Sequence, residues 1–580
     1  PYTDAYGNTP LNLMDLNNIG RLETLKGPSG SIYGAGMGGV LNLSSRFSDI
    51  SPISIDAGYS IGSFGYNKVL LNLSSGGDQY RFSVRYANQS AQGYRDHTAN
   101  DREVLESSAT IYTSDKQSLS AHILYSDLNY QTPGGLTQEQ YEENPKQARP
   151  GAVEKNASIA HQNFYAGLVN NYEWSDHFKN ATAIYLSNGT KENPFITNYE
   201  LEKLSSYGGR TSFDIGIESK KLPTIITTGL EINYGSSYAS NHGNVGGQAD
   251  TLRYEDEIKS INAFVFLQGS MSISDNWTAT IGASLNYMRF DINRLQDVAR
   301  DTSYRVQRVF SPEFMPRIGV VGKITPEVAV HGSVSVGFSP PTPEEIRTSN
   351  GAINTDLAAE KGINYELGIR GNTANRSFFY DATTFWMQQR ETIVSKTTPE
   401  GAVVFENSGA TSQFGIELLL GYTLINNPVN FISFMKIQTA FTHHNYIFKE
   451  YEKRSGNANV DYSGNRLTGT APNISVSSID VQSRNGLYFN LTYNFTDQIP
   501  LNDANTVYGS SYQLVTAKIG WQWNIGDQNT LELYGGVDNL LDQKYSLGND
   551  LNAFGGRYFN AAPERNYYAG LRWSFRNTRD

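Results

Sequence analysis

The chain has no cysteine, which excludes a disulfide framework and any thiolate metal site. Nowhere does it hold 18 consecutive apolar residues, so it encodes no transmembrane helix. Basic residues are in deficit, with 46 Lys and Arg against 57 Asp and Glu and a net charge of −11. That balance argues against nucleic acid as a partner, because phosphate binding needs a basic surface. No G-x-S-x-G, H-E-x-x-H or calcium-loop pattern occurs. The eight histidines fall into no metal-ligand spacing, and the tandem His443-His444 would point to opposite faces of a strand. With no catalytic constellation, metal site or cofactor motif, the sequence does not read as an enzyme. Its start, Pro1-Tyr2-Thr3, is not a signal peptide.

What the chain does have is aromatic residues (12%) and 54 glycines. It is polar on average yet rich in the residues that strands prefer. From Leu487 to Phe495 apolar and polar positions alternate strictly. The same holds near the end, where Tyr567, Ala569, Leu571, Trp573 and Phe575 alternate with Asn566, Tyr568, Gly570, Arg572 and Ser574. Such alternation over about ten residues gives a strand with one apolar face, long enough when tilted to cross a membrane.

The connections alternate in kind. Tight turns are predicted at Ser75–Asp78, Ser114–Gln117, Ser274–Asn276, Asn372–Asn375, Ser483–Gly486 and Gly526–Asn529. Long polar loops are predicted over 90–101, 132–161, 191–208, 240–258, 293–316, 339–360, 450–472 and 545–565. Short turns at one end and long loops at the other are the asymmetry of an outer-membrane barrel. Walking the chain in this way gives about 22 strands, a width at which the bore needs water or a plug. No repeat of 40–50 residues supports a propeller.

The plug is expected in Arg21–Ser45, RLETLKGPSGSIYGAGMGGVLNLSS, where five glycines fall within ten residues. Gly34, Gly36 and Gly39 spell G-x-G-x-x-G. A strand-like run follows them where a dinucleotide site needs a helix, so a nucleotide reading is rejected. The expected organisation is therefore a plug segment over 1–48 and an antiparallel transmembrane β-barrel over 49–580.

Alternation places Glu366 and Glu417 on the lumen face. A carboxylate held between wall and plug is costly unless a cation meets it, and Arg21 is the candidate cation. The alternative, that both acids line a hydrated lumen, stays open on periodicity alone. In the loops, Arg95, Arg149 and Arg347 could meet an anionic ligand through charge-assisted hydrogen bonds. His97 and His242 join them as ligand candidates, although solvated loop histidines are commoner. The acidic cluster Tyr254–Glu257 reads as a solvated loop edge or as a cation-bridged contact with lipid headgroups.

The stretch from Arg21 to Leu43 resembles the plug motif of TonB-dependent outer-membrane receptors. Ser311–Gly319, Gly337–Pro341, Asn364–Glu366 and Gly415–Glu417 resemble barrel-strand motifs of that family. Val537–Asp542, Gly556–Tyr558 and Trp573–Phe575 resemble its C-terminal region, although Arg576–Asp580 extends past the usual terminal aromatic. The resemblance implies a 22-stranded barrel in the bacterial outer membrane, plugged from within, that imports a scarce ligand. It implies an ion cluster of Arg21, Glu366 and Glu417 locking plug to wall. The implied partners are outer-membrane lipid, a TonB–ExbB–ExbD energy complex and, in some relatives, a surface lipoprotein. Family plugs are about three times longer than Pro1–Ser48, so the chain is expected to be the later part of a longer polypeptide, without the TonB-binding segment. Thr132–Thr137 with Gln147–Pro150 resembles the ferric-dicitrate and siderophore branch. The expected ligand is a ferric siderophore or ferric citrate, with haem or cobalamin as the alternative and a passive porin behind them.

Overall fold

A strand with one greasy and one polar face must hide its backbone donors and acceptors in neighbours on both edges, and in a membrane only closure does this completely. That is the architecture seen in the computed structural model, which describes residues 11–28, 30–45, 51–348, 351–397, 403–455 and 458–577. Among these, 22 antiparallel strands form one closed ring. The first, Ile53–Gly62, pairs with the last, Asn566–Asn577, with Ile55 opposite Phe575. A further strand, Thr302–Val309, pairs only with the outer part of Trp277–Asp297, beyond the point where Glu313–Thr325 takes over as that strand's neighbour. Among the described residues no helix is long and apolar enough to cross a membrane. The expected boundary between plug and barrel, at 48/49, lies outside the described residues, as does the end of the tail, 578–580.

The six predicted turns all fall at one end of the ring, where every connection is two to six residues long, as at 115–116, 275–276 and 526–528. Three of the predicted loops are largely strand, 293–316 because it holds the ends of Trp277–Asp297 and Glu313–Thr325 and all of Thr302–Val309. Residues 191–208 and 240–258 belong to the strands Phe178–Pro194, Tyr199–Ile217, Thr224–Val245 and Gln248–Ser274, joined only by 195–198 and 246–247. Their polarity misleads because these strands rise past the apolar belt, and their inward faces carry ion pairs instead of grease. Arg294 bonds Asp256 there at 2.5 Å, both fully buried.

Outward positions such as Leu168, Ile184, Val265 and Leu367 are 54–64% exposed, as a lipid-facing belt requires. The wall itself is packed by aromatic rings laid across glycines. Tyr488 stands directly opposite Gly520, and Tyr568 opposite Gly536. A Cβ at either glycine would lie 2.3 Å from the facing ring. Each ring therefore occupies the space the glycine leaves, the cross-strand pairing that rescues glycine in a sheet. Replacing Gly536 by Val is expected to displace the Tyr568 ring and destabilise the barrel by about 1–3 kcal/mol. The measurement is the temperature at which the protein loses its folded mobility on an unheated gel, which should fall.

Candidate functional site

The bore is occupied by a hairpin of Ile19–Lys26 and Gly39–Ser45 with the one-turn helix Gly30–Tyr33 at its bend. Of the five glycines predicted to mark a plug, Gly30, Gly34 and Gly39 sit where a side chain would collide, whereas Gly36 and Gly38 have open space around them. Gly39 has φ 133°, and a Cβ on it would sit 2.1 Å from the Leu25 carbonyl oxygen. Gly34 has φ 78° and lies against the Phe264 ring. Met37 enters a socket made by two wall glycines, Gly337 and Gly362.

The hairpin reaches both sides of the bore. At its bend the Gly36 amide donates to the Phe338 carbonyl (2.8 Å), and Gly27 abuts Asn364. At its open end the Ser45 hydroxyl donates to Glu106 (3.0 Å). Glu106 and Asn364 lie on Asn100–Ser114 and Glu360–Asn372, the fourth and fourteenth strands of the ring and so nearly opposite each other. Between them, Arg210 donates to the Ile32 carbonyl at the end of the helix (2.7 Å), pairs with Glu231 (2.9 Å) and lies over the Phe266 ring. Ser31 donates to Gln268 (2.9 Å).

Alternation correctly turned Glu366 and Glu417 inward, but the structure gives them other partners than Arg21. Lys26 donates to Glu417, while Glu366 faces His331 at 3.3 Å. Arg21 pairs with Glu23 on its own strand and is largely exposed. Strand geometry explains the difference: positions 21 and 23 share one face of the hairpin, position 26 the other. Lys26 was legible as a cation just before the Gly27-Pro28 turn, yet its distance from Glu417 in sequence hid the pairing.

The most buried contact between hairpin segment and wall was not anticipated. Asp15, fully buried, accepts from Lys68 (2.6 Å) and Arg102 (3.0 Å) and caps the turn at Asn17 (2.9 Å). Arg102 also donates to the carbonyls of Asn12 and Met14. Burial pushes the Asp15 carboxyl up, but the Lys68 and Asn17 hydrogen bonds and the Lys68 charge outweigh it, so its pKa lies below the usual value. Nothing in the run Leu11-Asn12-Leu13-Met14-Asp15 distinguished this acid from a turn residue.

The loop residues expected to meet a ligand are placed as follows. Arg95 is buried and donates to the carbonyls of Gly134 (2.8 Å) and Gln147 (2.9 Å) and to Asn560 (3.1 Å), welding three loops together. His97, with φ 61°, bonds the Ala157 carbonyl (2.8 Å). His242 lies on a strand rather than in a loop and bonds Ser240 and the Asp250 carbonyl. Arg347, buried at the end of a one-turn helix, pairs with Glu200 and with Asp256 (2.9 Å), pinning its loop to the wall. The Arg149 amide donates to the Pro133 carbonyl (2.7 Å), but its guanidinium makes no hydrogen bond among the described residues and feels the charges of Asp550 and of a second guanidinium, Arg557. Its pKa is lowered by burial and by Arg557. Among the described residues, no three acidic or histidine side chains are grouped to hold a metal.

Residues 45–540 match the family described as "TonB dependent receptor-like, beta-barrel". The ferric citrate transporter FecA in its unliganded form is similar at a TM-score of 0.81 and 17% identity, over 99% of this chain and 86% of that one. The siderophore receptor PiuA from Acinetobacter baumannii is similar at 0.77 and 14%, over 96% and 86%. The ferric yersiniabactin uptake receptor FyuA from Yersinia pestis is similar at 0.77 and 15%, over 96% and 85%.

Asp15→Asn should leave Lys68 and Arg102 without their counter-charge and weaken the hold on residues 11–18 by about 3–5 kcal/mol. Glu417→Gln, whose lysine partner is mostly exposed, should cost at most about 1 kcal/mol. Hydrogen exchange of the two plug segments in detergent micelles compares them. Because the Asp15 pKa is depressed on folding, its contribution is full above about pH 4 and is lost as the pH falls through the folded value. Protection over 11–18, taken relative to the intrinsic exchange rate at each pH, should therefore fall in acid in the wild type but not in Asp15→Asn.

Proposed function

This chain belongs to the TonB-dependent receptor family, and on that premise we propose that it imports a ferric chelate, a siderophore or ferric citrate, across the bacterial outer membrane. It is a receptor of that membrane and not an enzyme. The observation that carries the reading is the hairpin held against opposite walls inside a 22-strand bore, an obstruction that must be rearranged for a ligand to pass. A conduit so obstructed requires work, and we assign that work to the TonB–ExbB–ExbD energy complex. The solved relatives named for siderophores and ferric citrate support a chelate over haem or cobalamin.

The fixed rim is built by Arg95 and Arg347, whose guanidiniums are spent on loop carbonyls and wall carboxylates. Arg149, beside Arg557, is left to meet the carboxylates of an incoming chelate. The resting lock at this wall is assigned to Lys26 and Glu417, since Arg21 is engaged by Glu23 and Glu366 by His331.

Purified protein titrated with ferric citrate, ferric siderophores, haem and cobalamin decides the ligand class. Tight binding of a ferric chelate is expected, and preferential binding of haem or cobalamin would overturn the proposal. Arg149→Gln should weaken ferric citrate by about tenfold, the cost of one charged contact of 1.4 kcal/mol, and leave a neutral hydroxamate chelate unchanged. In planar bilayers the wild type should conduct little, whereas a steady conductance without denaturant would indicate a porin.

A further inference from the structure

The belt of lipid-facing side chains ends sharply on one flank of the barrel. On three of four consecutive strands of the wall a tyrosine faces outward at the same height. Tyr207 stands ten residues from the inner end of Tyr199–Ile217, Tyr234 ten from that of Thr224–Val245, and Tyr287 ten from that of Trp277–Asp297. Ten tilted strand residues rise about 25 Å, the thickness of the apolar band, so this row marks its outer edge. Tyr207 and Tyr234 pack with ring centroids 4.9 Å apart.

Immediately above the row the outward positions become ionic. Lys203, Lys259 and Arg289 lie 14, 15 and 12 residues from the inner ends of their strands (Ile217, Ser274 and Trp277). Arg305, on the extra strand Thr302–Val309, is paired opposite Asn293 at similar height. Strand parity fixes their direction. Across this part of the wall Arg210, Gln268 and Gly282 face the hairpin in the bore, so positions of the other parity face out. Pairing makes the cations neighbours: Lys203 is opposite Tyr238, itself opposite Glu257, while Lys259 is opposite Asp291.

The three outward carboxylates at this level are already engaged, Glu192 of Phe178–Pro194 accepting from the Tyr199 hydroxyl (2.8 Å). Asp291 accepts from Arg289 (2.6 Å), Arg305 (3.0 Å) and Gln307 (3.2 Å), and Glu257 from Lys259 (2.8 Å). Four cations therefore face three carboxylates. Lys203 is exposed and makes no ion pair among the described residues, and Arg305 is 64% exposed despite its bond to Asp291. The extra strand, which the ring does not need for closure, widens this ledge by one strand.

We propose that the ledge is a binding surface for a phosphate-bearing lipid headgroup of the outer leaflet, with Lys203, Lys259, Arg289 and Arg305 contacting phosphate and the tyrosine row marking where its acyl chains begin. The occupant is set by charge and by continuity with the belt. A group held here sits about 5–15 Å above the apolar edge, too low for a soluble ligand to share and at the depth where lipid phosphates lie. The acidic run Glu255–Glu257 takes part only by placing Lys259, since Glu257 holds it and Glu255, higher up, receives the Tyr238 hydroxyl.

The test uses the detergent-solubilised chain titrated with bis-phosphorylated lipid A and with its phosphate-free counterpart, bound lipid being counted by native mass spectrometry. The wild type should prefer the phosphorylated lipid by at least about tenfold, since each basic residue at a membrane surface contributes about 1 kcal/mol. The variant Lys203→Gln/Lys259→Gln/Arg305→Gln should lose that preference while keeping its folded gel mobility and its chelate binding. Should the triple variant fail to fold, Lys203→Glu alone, on a side chain without an ionic partner, should reduce the preference. Equal binding of both lipids by the wild type, or an undiminished preference in a folded variant, overturns the proposal.

Discussion

The structure depends on one constraint, that no strand edge is left open. Backbone amides and carbonyls that would be orphaned in hydrocarbon are paired all the way round, and the seam between Ile53–Gly62 and Asn566–Asn577 is as regular as any other pairing. Closure fixes the number of strands, the number fixes the bore, and a bore of 22 strands is too wide for side chains to fill. The hairpin, its glycines and its clasps answer that surplus space. Even the rings packed over Gly520 and Gly536 follow from it, because a curved wall leaves room where a side chain is absent.

Two grades of ionic contact hold the hairpin segment to the wall. Lys26 and Glu417 meet in a hydrated part of the lumen, where water screens them. Asp15 is sealed from water between Lys68 and Arg102, so its loss would strand two cations. The two sit on different parts of the plug, and a force applied along the chain would not release them alike. The outer loops show the same economy: the Arg95 and Arg347 guanidiniums hold the rim together, and Arg149 is the one not bound in it.

Much of this was legible in the order of residues, because a barrel strand encodes its environment every second position. Leu487–Thr496 and Asn566–Asn577 could be read almost residue by residue, as could the tight turns and the inward aim of Glu366 and Glu417. The reading failed where periodicity carries no polarity contrast. Above the belt, both faces of Tyr199–Ile217 and Gln248–Ser274 are polar, so these strands looked like loops. Partnerships across the bore failed for another reason. Asp15 with Lys68 and Lys26 with Glu417 are joined only by closure, and no local pattern records which wall a plug residue will meet. Arg347 looked like a free loop arginine because its neighbours in sequence do not show Glu200 and Asp256 waiting on the wall.

The hairpin that spans from the fourth strand to the fourteenth also behaves as a crossbeam. A thin-walled tube of this girth resists squeezing poorly by itself, and a strut bonded near both ends of a diameter keeps its cross-section round. The roundness of the tube and the seating of the strut are thus one mechanical variable, so lateral pressure from the surrounding bilayer is borne in part by the element that must yield when cargo passes.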